Sequence, residues 1–307
     1  MKFMENTKIN FMKFKSFGFG LSSVLAFGSI IILRMGVNLG IDFKGGTAIG
    51  VSFSEDVSIQ EVRSSLKSVS FNDNLVDLSG EEIKYFGSQN DVMIKIKSLD
   101  NEPENFGQIV INHLYDSMSS KAPENKNDFI LSLGSVSPKV GSELSGQAFW
   151  SVVSALVLIL FYISVRFEFR FALGAILALV HDVVITLGIF SLTGFEITLS
   201  TVAAFLTIVG YSLNDTIVIL DRIRENMKSS GTVMFESTIN KSINQSLSRT
   251  LITSLTTLFV IIVLLVYGGE VIRPFSFTML VGVIVGTYSS IYIASALLAT
   301  IYQSSNK

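Results

Sequence analysis

Apolar residues in this chain follow two kinds of pattern, long unbroken blocks and short periodic runs. A bilayer core needs about twenty mostly apolar residues per helix, because every backbone N–H and C=O must find its partner inside the segment. Six stretches meet that condition: residues 17–36, 148–165, 171–192, 197–220, 251–267 and 274–302. Residues 37–147, between the first two blocks, read differently. Ile49, Val51 and Phe53 alternate as a strand, and Ser58 with Glu61 spells a capping box ahead of a helical face made by Ile59, Val62, Leu66 and Val69. Ile83 and Tyr85, then Val92, Ile94 and Ile96, predict the two arms of a hairpin. Phe106, Ile109, Val110 and Leu114 predict a second helix, and Phe129, Leu131 and Leu133 a last strand. Strand, helix, strand, strand, helix, strand is the order of a split βαβ, ferredoxin-like fold. The expected fold class is an α-helical polytopic membrane protein of six spans carrying one small α+β domain.

Charge sets the expected orientation. Lys and Arg in short loops favour the cytoplasm. Lys2, Lys8, Lys13 and Lys15 precede the first span, Arg166 and Arg170 join the second to the third, and Arg222, Arg224, Lys228 and Lys241 lie between the fourth and fifth. The opposite short turns hold only Glu196, and Glu270 with Arg273. Residues 1–16, a loop over 221–249 and residues 303–307 are therefore expected in the cytoplasm, and 37–147 outside it. A signal peptide is the alternative for the first block, but Arg34, Met35 and Gly36 follow it where a small-residue cleavage site belongs.

Composition narrows the function classes. At 49% hydrophobic and 16% charged, with a mean hydropathy of +0.54, the chain is too apolar for a soluble domain. A net charge of -2 argues against nucleic acid as a partner. There are no cysteines and only two histidines, His113 and His181, which leaves no thiolate or H-E-x-x-H metal site. No phosphate-binding loop is present either, so no cofactor, no metal and no enzymatic activity are expected.

Ionisable groups inside apolar blocks carry the chemistry, since a carboxylate at mid-helix costs about 2.5–3.5 kcal/mol on insertion scales. Asp182, beside His181, stands midway along the third block; Asp215 stands in the fourth, within Tyr211-Ser212-Leu213-Asn214-Asp215; Arg249 opens the fifth. Polar residues recur near them at intervals of four: Thr207, Tyr211 and Asp215; Asp182 and Thr186; Arg249, Thr253 and Thr257. Three such stripes face to face would form a polar seam. A desolvated Asp can exchange a proton at working pH and an Arg cannot. The spacing equally allows Asp215 and Arg249 to be a fixed ion pair, and His181 to be a packed, hydrogen-bonded side chain. Gly282, Gly286, Ser290 and Ala294 make a small-xxx-small series that lets a helix of this chain or another approach closely.

Four segments resemble the SecF branch of the SecD/SecF protein-export family, in the resistance-nodulation-division superfamily. Gly40-Ile41-Asp42-Phe43-Lys44-Gly45-Gly46-Thr47 is similar to its G-x-D-F-x-G-G signature. Residues 137–144 (SPKVGSEL, with Ser137 where a glycine is expected), Tyr211–Arg224 (YSLNDTIVILDRIR) and Ser248-Arg249-Thr250 with Thr253-Ser254 are similar to later family segments. The resemblance implies a proton-pathway carboxylate at Asp215, a partner arginine at Arg249, and a contribution from Asp182. It implies that SecD supplies six further spans, with the SecYEG channel, SecA, YajC and YidC as associates, preprotein as substrate and the cytoplasmic membrane as location. It implies use of the proton-motive force to help preproteins leave the channel. The rival readings are a half-size small-molecule transporter, for which residues 37–147 are too short, and a purely structural stabiliser of the channel.

Overall fold

A computed structural model describes residues 7–71, 74–99, 102–166, 169–230 and 235–305. Lys2, residues 231–234 of the fourth-to-fifth connection and the two residues after 305 lie outside the described ones. In chain order the main elements are α1 (Lys15–Arg34), β1 (Gly46–Ser52), α2 (Ile59–Ser65), β2 (Val69–Phe71), β3 (Asn74–Val76), β4 (Glu82–Phe86), β5 (Ser88–Ile96), α3 (Phe106–Ser117), β6 (Ile130–Val136), α4 (Pro138–Arg166), α5 (Phe169–Leu192), α6 (Leu199–Ser230), α7 (Phe235–Tyr267), α8 (Gly269–Ser289), a π-helical turn (Ser290–Ala294) and α9 (Ser295–Ser305). Two compact units result, Leu39–Phe149 and the remainder.

In the Leu39–Phe149 unit an antiparallel sheet runs β4-β5-β1-β6, the order the split βαβ reading requires. Ile49 and Val51 of β1 stand opposite Ile94 and Val92 of β5, all fully buried under α2 and α3. Phe53 and Phe129 meet edge-on at 5.1 Å in the same core. The capping box forms as expected: the Ser58 N–H donates to Glu61 Oε2 at 2.9 Å and the Glu61 N–H donates to Ser58 Oγ at 3.2 Å. The last strand differs from expectation. Phe129 closes a short helical turn before β6, a bulge at Gly50/Val51 leaves Leu131 out of the pairing, and Leu131 and Leu133 are nearly half exposed on this edge strand. The β2–β3 pair was not legible beforehand; each arm is only three residues long.

Two signature segments that are far apart in sequence meet in this unit. Gly45 has φ +77°, and a Cβ there would lie 2.8 Å from both Cα and N of Pro138. A Cβ on Gly141 would in turn lie 3.0 Å from Gly45 N and Phe43 O. The double glycine is thus needed for a left-handed turn pressed against the first turn of α4. Asp42 is half-buried and Phe43 buried in the helical turn Ile41–Lys44, which starts at Gly40.

Among the described residues six helices are long and apolar enough to cross a membrane, ending with Gly269–Tyr302. The loop expected over 221–249 is instead largely helical: α6 runs on to Ser230 and α7 starts at Phe235. Charged residues suggested a loop, but apolar ones spaced along one face keep both helices wound. Ile219, Leu220 and Ile223 pack against Ile239, Ile243 and Leu247, and Asn226 donates to Ser242 Oγ at 2.8 Å. The residues before α1 dock on the same end. Asn244 Oδ1 accepts from the Ile9 N–H at 2.9 Å and Asn240 Oδ1 from the Met12 N–H at 3.0 Å.

Candidate functional site

Small residues bring the helices close enough for short polar side chains to meet. A Cβ on Gly286 would lie 3.0 Å from Ser212 Cβ, and one on Gly282 would overlap the Ile208 side chain. The small-residue series therefore packs α8 against α6 of this chain. Further along it, the Ala294 carbonyl lies 3.3 Å from where a Cβ on Gly174 of α5 would sit.

Asp182 of α5 is fully buried, and Asp215 of α6 is 9% exposed. Each carboxylate is gripped by two hydroxyls from other helices. Ser212 Oγ of α6 donates to Asp182 Oδ2 at 2.5 Å, and Ser289 Oγ donates to the same oxygen at 2.7 Å. Thr250 Oγ1 of α7 donates to Asp215 Oδ1 at 2.5 Å, and Ser290 Oγ donates to Asp215 Oδ2 at 2.7 Å. Ser289 and Ser290 are consecutive. Neighbouring residues on a helix point about 100° apart, so one helix serves a carboxylate on each of two others. Ser290 also begins the π-helical turn, a feature common at functional sites.

The flanking groups complete the site. His181 Nδ1 lies 2.9 Å from Asp182 Oδ1, and its ring is 6.5 Å from that of Tyr288. His181 Nε2, Thr186 Oγ1 and Tyr211 Oη are buried without a hydrogen-bond partner. Among the described residues no group of three or more His, Asp or Glu is placed to hold a metal ion.

The expected seam is corrected in its membership. Among the described residues no ion pair joins Asp215 to Arg249; Arg249 is exposed, and the next residue, Thr250, makes the contact. Thr207, Asn214 and Thr253 are likewise exposed, and Thr257 is half-buried. Thr207 and Thr253 donate back to the carbonyls of Ala203 and Arg249 on their own helices. The reason is helical phase. A spacing of four advances about 40° past a full turn, so Thr207, Tyr211 and Asp215 pass from exposed through half-buried to buried. Ser212, Thr250, Ser289 and Ser290 were not identified from sequence as carboxylate ligands. Their signal was present only as Ser and Thr within apolar blocks.

The comparisons agree with this architecture. Residues 117–304 match the family model for the C-terminal part of the protein export membrane proteins SecD/SecF, and residues 30–57 match the SecD/SecF GG motif. The chain is 42% identical over 299 residues to a protein translocase subunit SecF of Calditerrivibrio nitroreducens, covering 95% of this chain and 94% of the relative. To the subunit of that name in Escherichia coli O157:H7 it is 40% identical over 289 residues, covering 94% and 86%. It is similar to a crystal structure of SecDF, described as a translocon-associated membrane protein, from Thermus thermophilus, with 36% identity and a TM-score of 0.83. That similarity covers 99% of this chain but 40% of the SecDF chain, so the chain spans about two fifths of that protein's length.

Proposed function

Because the chain belongs to the SecD/SecF family of protein-export membrane proteins, we propose that it serves protein translocation as the SecF-type half of a proton-driven complex. A SecD partner supplies the remaining spans, consistent with the two fifths of the SecDF chain that this one covers. Exposed apolar residues such as Ile252, Phe259 and Val263 on α7, and Leu158 and Phe161 on α4, are available to such a partner or to lipid. Arg249, Thr253, Asn214 and Thr207 are among the exposed polar residues of α6 and α7, available to groups from the other half. The complex resides in the cytoplasmic membrane, with the chain ends inside and Leu39–Phe149 outside, works beside SecYEG and SecA with YajC and YidC, acts on preproteins and is not an enzyme.

The observation that carries the reading is the pair of buried carboxylates held by hydroxyls on neighbouring helices. An ionised group there is offset by hydrogen bonds, and a proton neutralises its charge. One charge falling through 100 mV supplies about 2.3 kcal/mol, enough to bias a two-state rearrangement well over tenfold. Asp215→Asn leaves the complex assembled and abolishes gradient-dependent export in membrane vesicles. Normal export by that variant refutes the proton role.

The full hydroxyl coordination also favours a second reading, in which the carboxylates are static locks and the chain only stabilises the channel. Under it, Asp215→Asn lowers stability while the gradient continues to accelerate whatever export remains.

A further inference from the structure

Ser289 and Ser290 each have one hydroxyl proton and two acceptors within reach. Ser289 Oγ is 2.7 Å from Asp182 Oδ2 and 3.1 Å from the Gly286 carbonyl. Ser290 Oγ is 2.7 Å from Asp215 Oδ2 and 3.0 Å from the Thr287 carbonyl. An ionised carboxylate only accepts, so it takes the hydroxyl proton. A protonated one can donate, and the hydroxyl then accepts from it and turns its own proton to the backbone carbonyl three residues back. Both hydroxyls thus have a second state built into their geometry. Both also stand where the regular helix gives way to the π-helical turn, whose own geometry is held by Ser295 Oγ donating to the Ser290 carbonyl at 2.9 Å.

We infer that Ser289 and Ser290 are positioning residues that transmit the protonation of Asp182 and Asp215 to the last span, by reversing their hydrogen bonds at the entrance to the π-helical turn. The inference rests on the reading of these carboxylates as groups that change protonation. The adjacency of the serines has a further consequence: the two carboxylates, on different helices, are read by one backbone segment. A change at either is felt by the other. Among the described residues the titratable groups around the array are His181 on α5, Tyr211 on α6, Arg249 next to Thr250 on α7, Tyr288 on α8 and Tyr292 on the π-helical turn. Of these, His181 is in direct contact with Asp182.

The test uses the full complex with its partner half in liposomes. Hydrogen exchange of the amides of residues 286–295 is followed across pH, after correction for intrinsic exchange chemistry, in the parent and in Ser289→Ala, Ser290→Ala and Asp215→Asn. Both alanine variants remove one oxygen from a helix and keep its shape, and co-purification with the partner half confirms assembly. A hydrogen bond to a charged group is worth enough to change local opening by about tenfold or more. The parent is therefore expected to change its protection by at least about tenfold across the titration. Ser290→Ala should lose the part of that response that Asp215→Asn also loses, and Ser289→Ala should lose a separate part. An undiminished response in both alanine variants overturns the inference, whatever their export activity. Export remains the separate test of the proton role. If Asp215→Asn exports normally while the parent's exchange still responds through the serines, the proton reading fails and the hydroxyl reversal stands.

Discussion

Gly188 of α5 offers a direct measure of how tightly the helix bearing Asp182 is held. A Cβ on Gly188 would lie 2.7 Å from the Cα of Ser29 on α1, and closer still to that residue's Cβ and Oγ. Rotation moves only the Ser29 Oγ; its Cβ, 2.3 Å away, is fixed to the backbone, so α1 and α5 must part by about 1.1 Å to reach the 3.4 Å of ordinary contact. Overpacking of this kind costs about 1–3 kcal/mol, against a gain of about 1 kcal/mol from replacing glycine within a helix. Parting the helices also strains two bonds that tether α1 to α8. The Tyr288 hydroxyl donates to the Gly18 carbonyl at 2.8 Å and lies 3.1 Å from Ser22 Oγ. Gly28, on α1, has nothing within 4 Å of its Cβ position, so Gly28→Ala keeps the helical gain without the clash. Thermal unfolding of the detergent-solubilised complex should place Gly188→Ala below Gly28→Ala by a few degrees to about ten. Equal melting of the two variants refutes the close-approach argument.

Other expected outcomes concern the site and the small domain. Thr250→Val removes a donor to Asp215 while keeping the side chain's shape; about 1.5–3 kcal/mol rides on such a bond. Gradient-driven export in proteoliposomes should fall at least about tenfold, whereas Thr253→Val, one turn along and exposed, should stay within twofold. Gly45→Ala must adopt a positive-φ backbone (φ 77°, ψ 160°) that is essentially restricted to glycine, at about 1–3 kcal/mol, and also overlap Pro138; limited proteolysis should show the Leu39–Phe149 unit cut faster than in the parent. The Glu61 carboxyl is held below its ordinary value, first by the Ser58 backbone N–H and then by Lys121. A lowered folded-state value means a contribution present above the unfolded value and lost as pH falls through the folded one. Glu61→Gln should thus raise hydrogen exchange in α2 at neutral pH, and the difference from the parent should vanish in acid.

Much of the architecture was visible because its signals are binary. An Asp in an apolar block is conspicuous by its cost, so Asp182 and Asp215 stood out, and alternation at Ile49, Val51 and Phe53 marked a buried strand. What escaped depends on phase and company. Serine and threonine are unremarkable in a span, and only the rotation that carries Thr250 inward while leaving Arg249 outside separates a carboxylate ligand from a surface group. Charge density made residues 221–249 read as a loop, although Ile223, Ile239 and Ile243 already held the spacing of a packed helix pair. The double glycine and the Ser137–Leu144 segment were each conspicuous, but that one presses on the other is a tertiary fact that no local pattern contains.

The docking of the residues before α1 onto Asn240 and Asn244 bears on synthesis. Ile9 and Met12 wait for partners 235 and 228 positions further along. At about 5–20 residues per second, those partners emerge roughly 10 to 50 seconds after Ile9 and Met12 are made. Until then the backbone groups of this early segment depend on water or on attendant proteins. The clasp closes only when the start of α7 has been made, so it acts as a late checkpoint on assembly of the helices between.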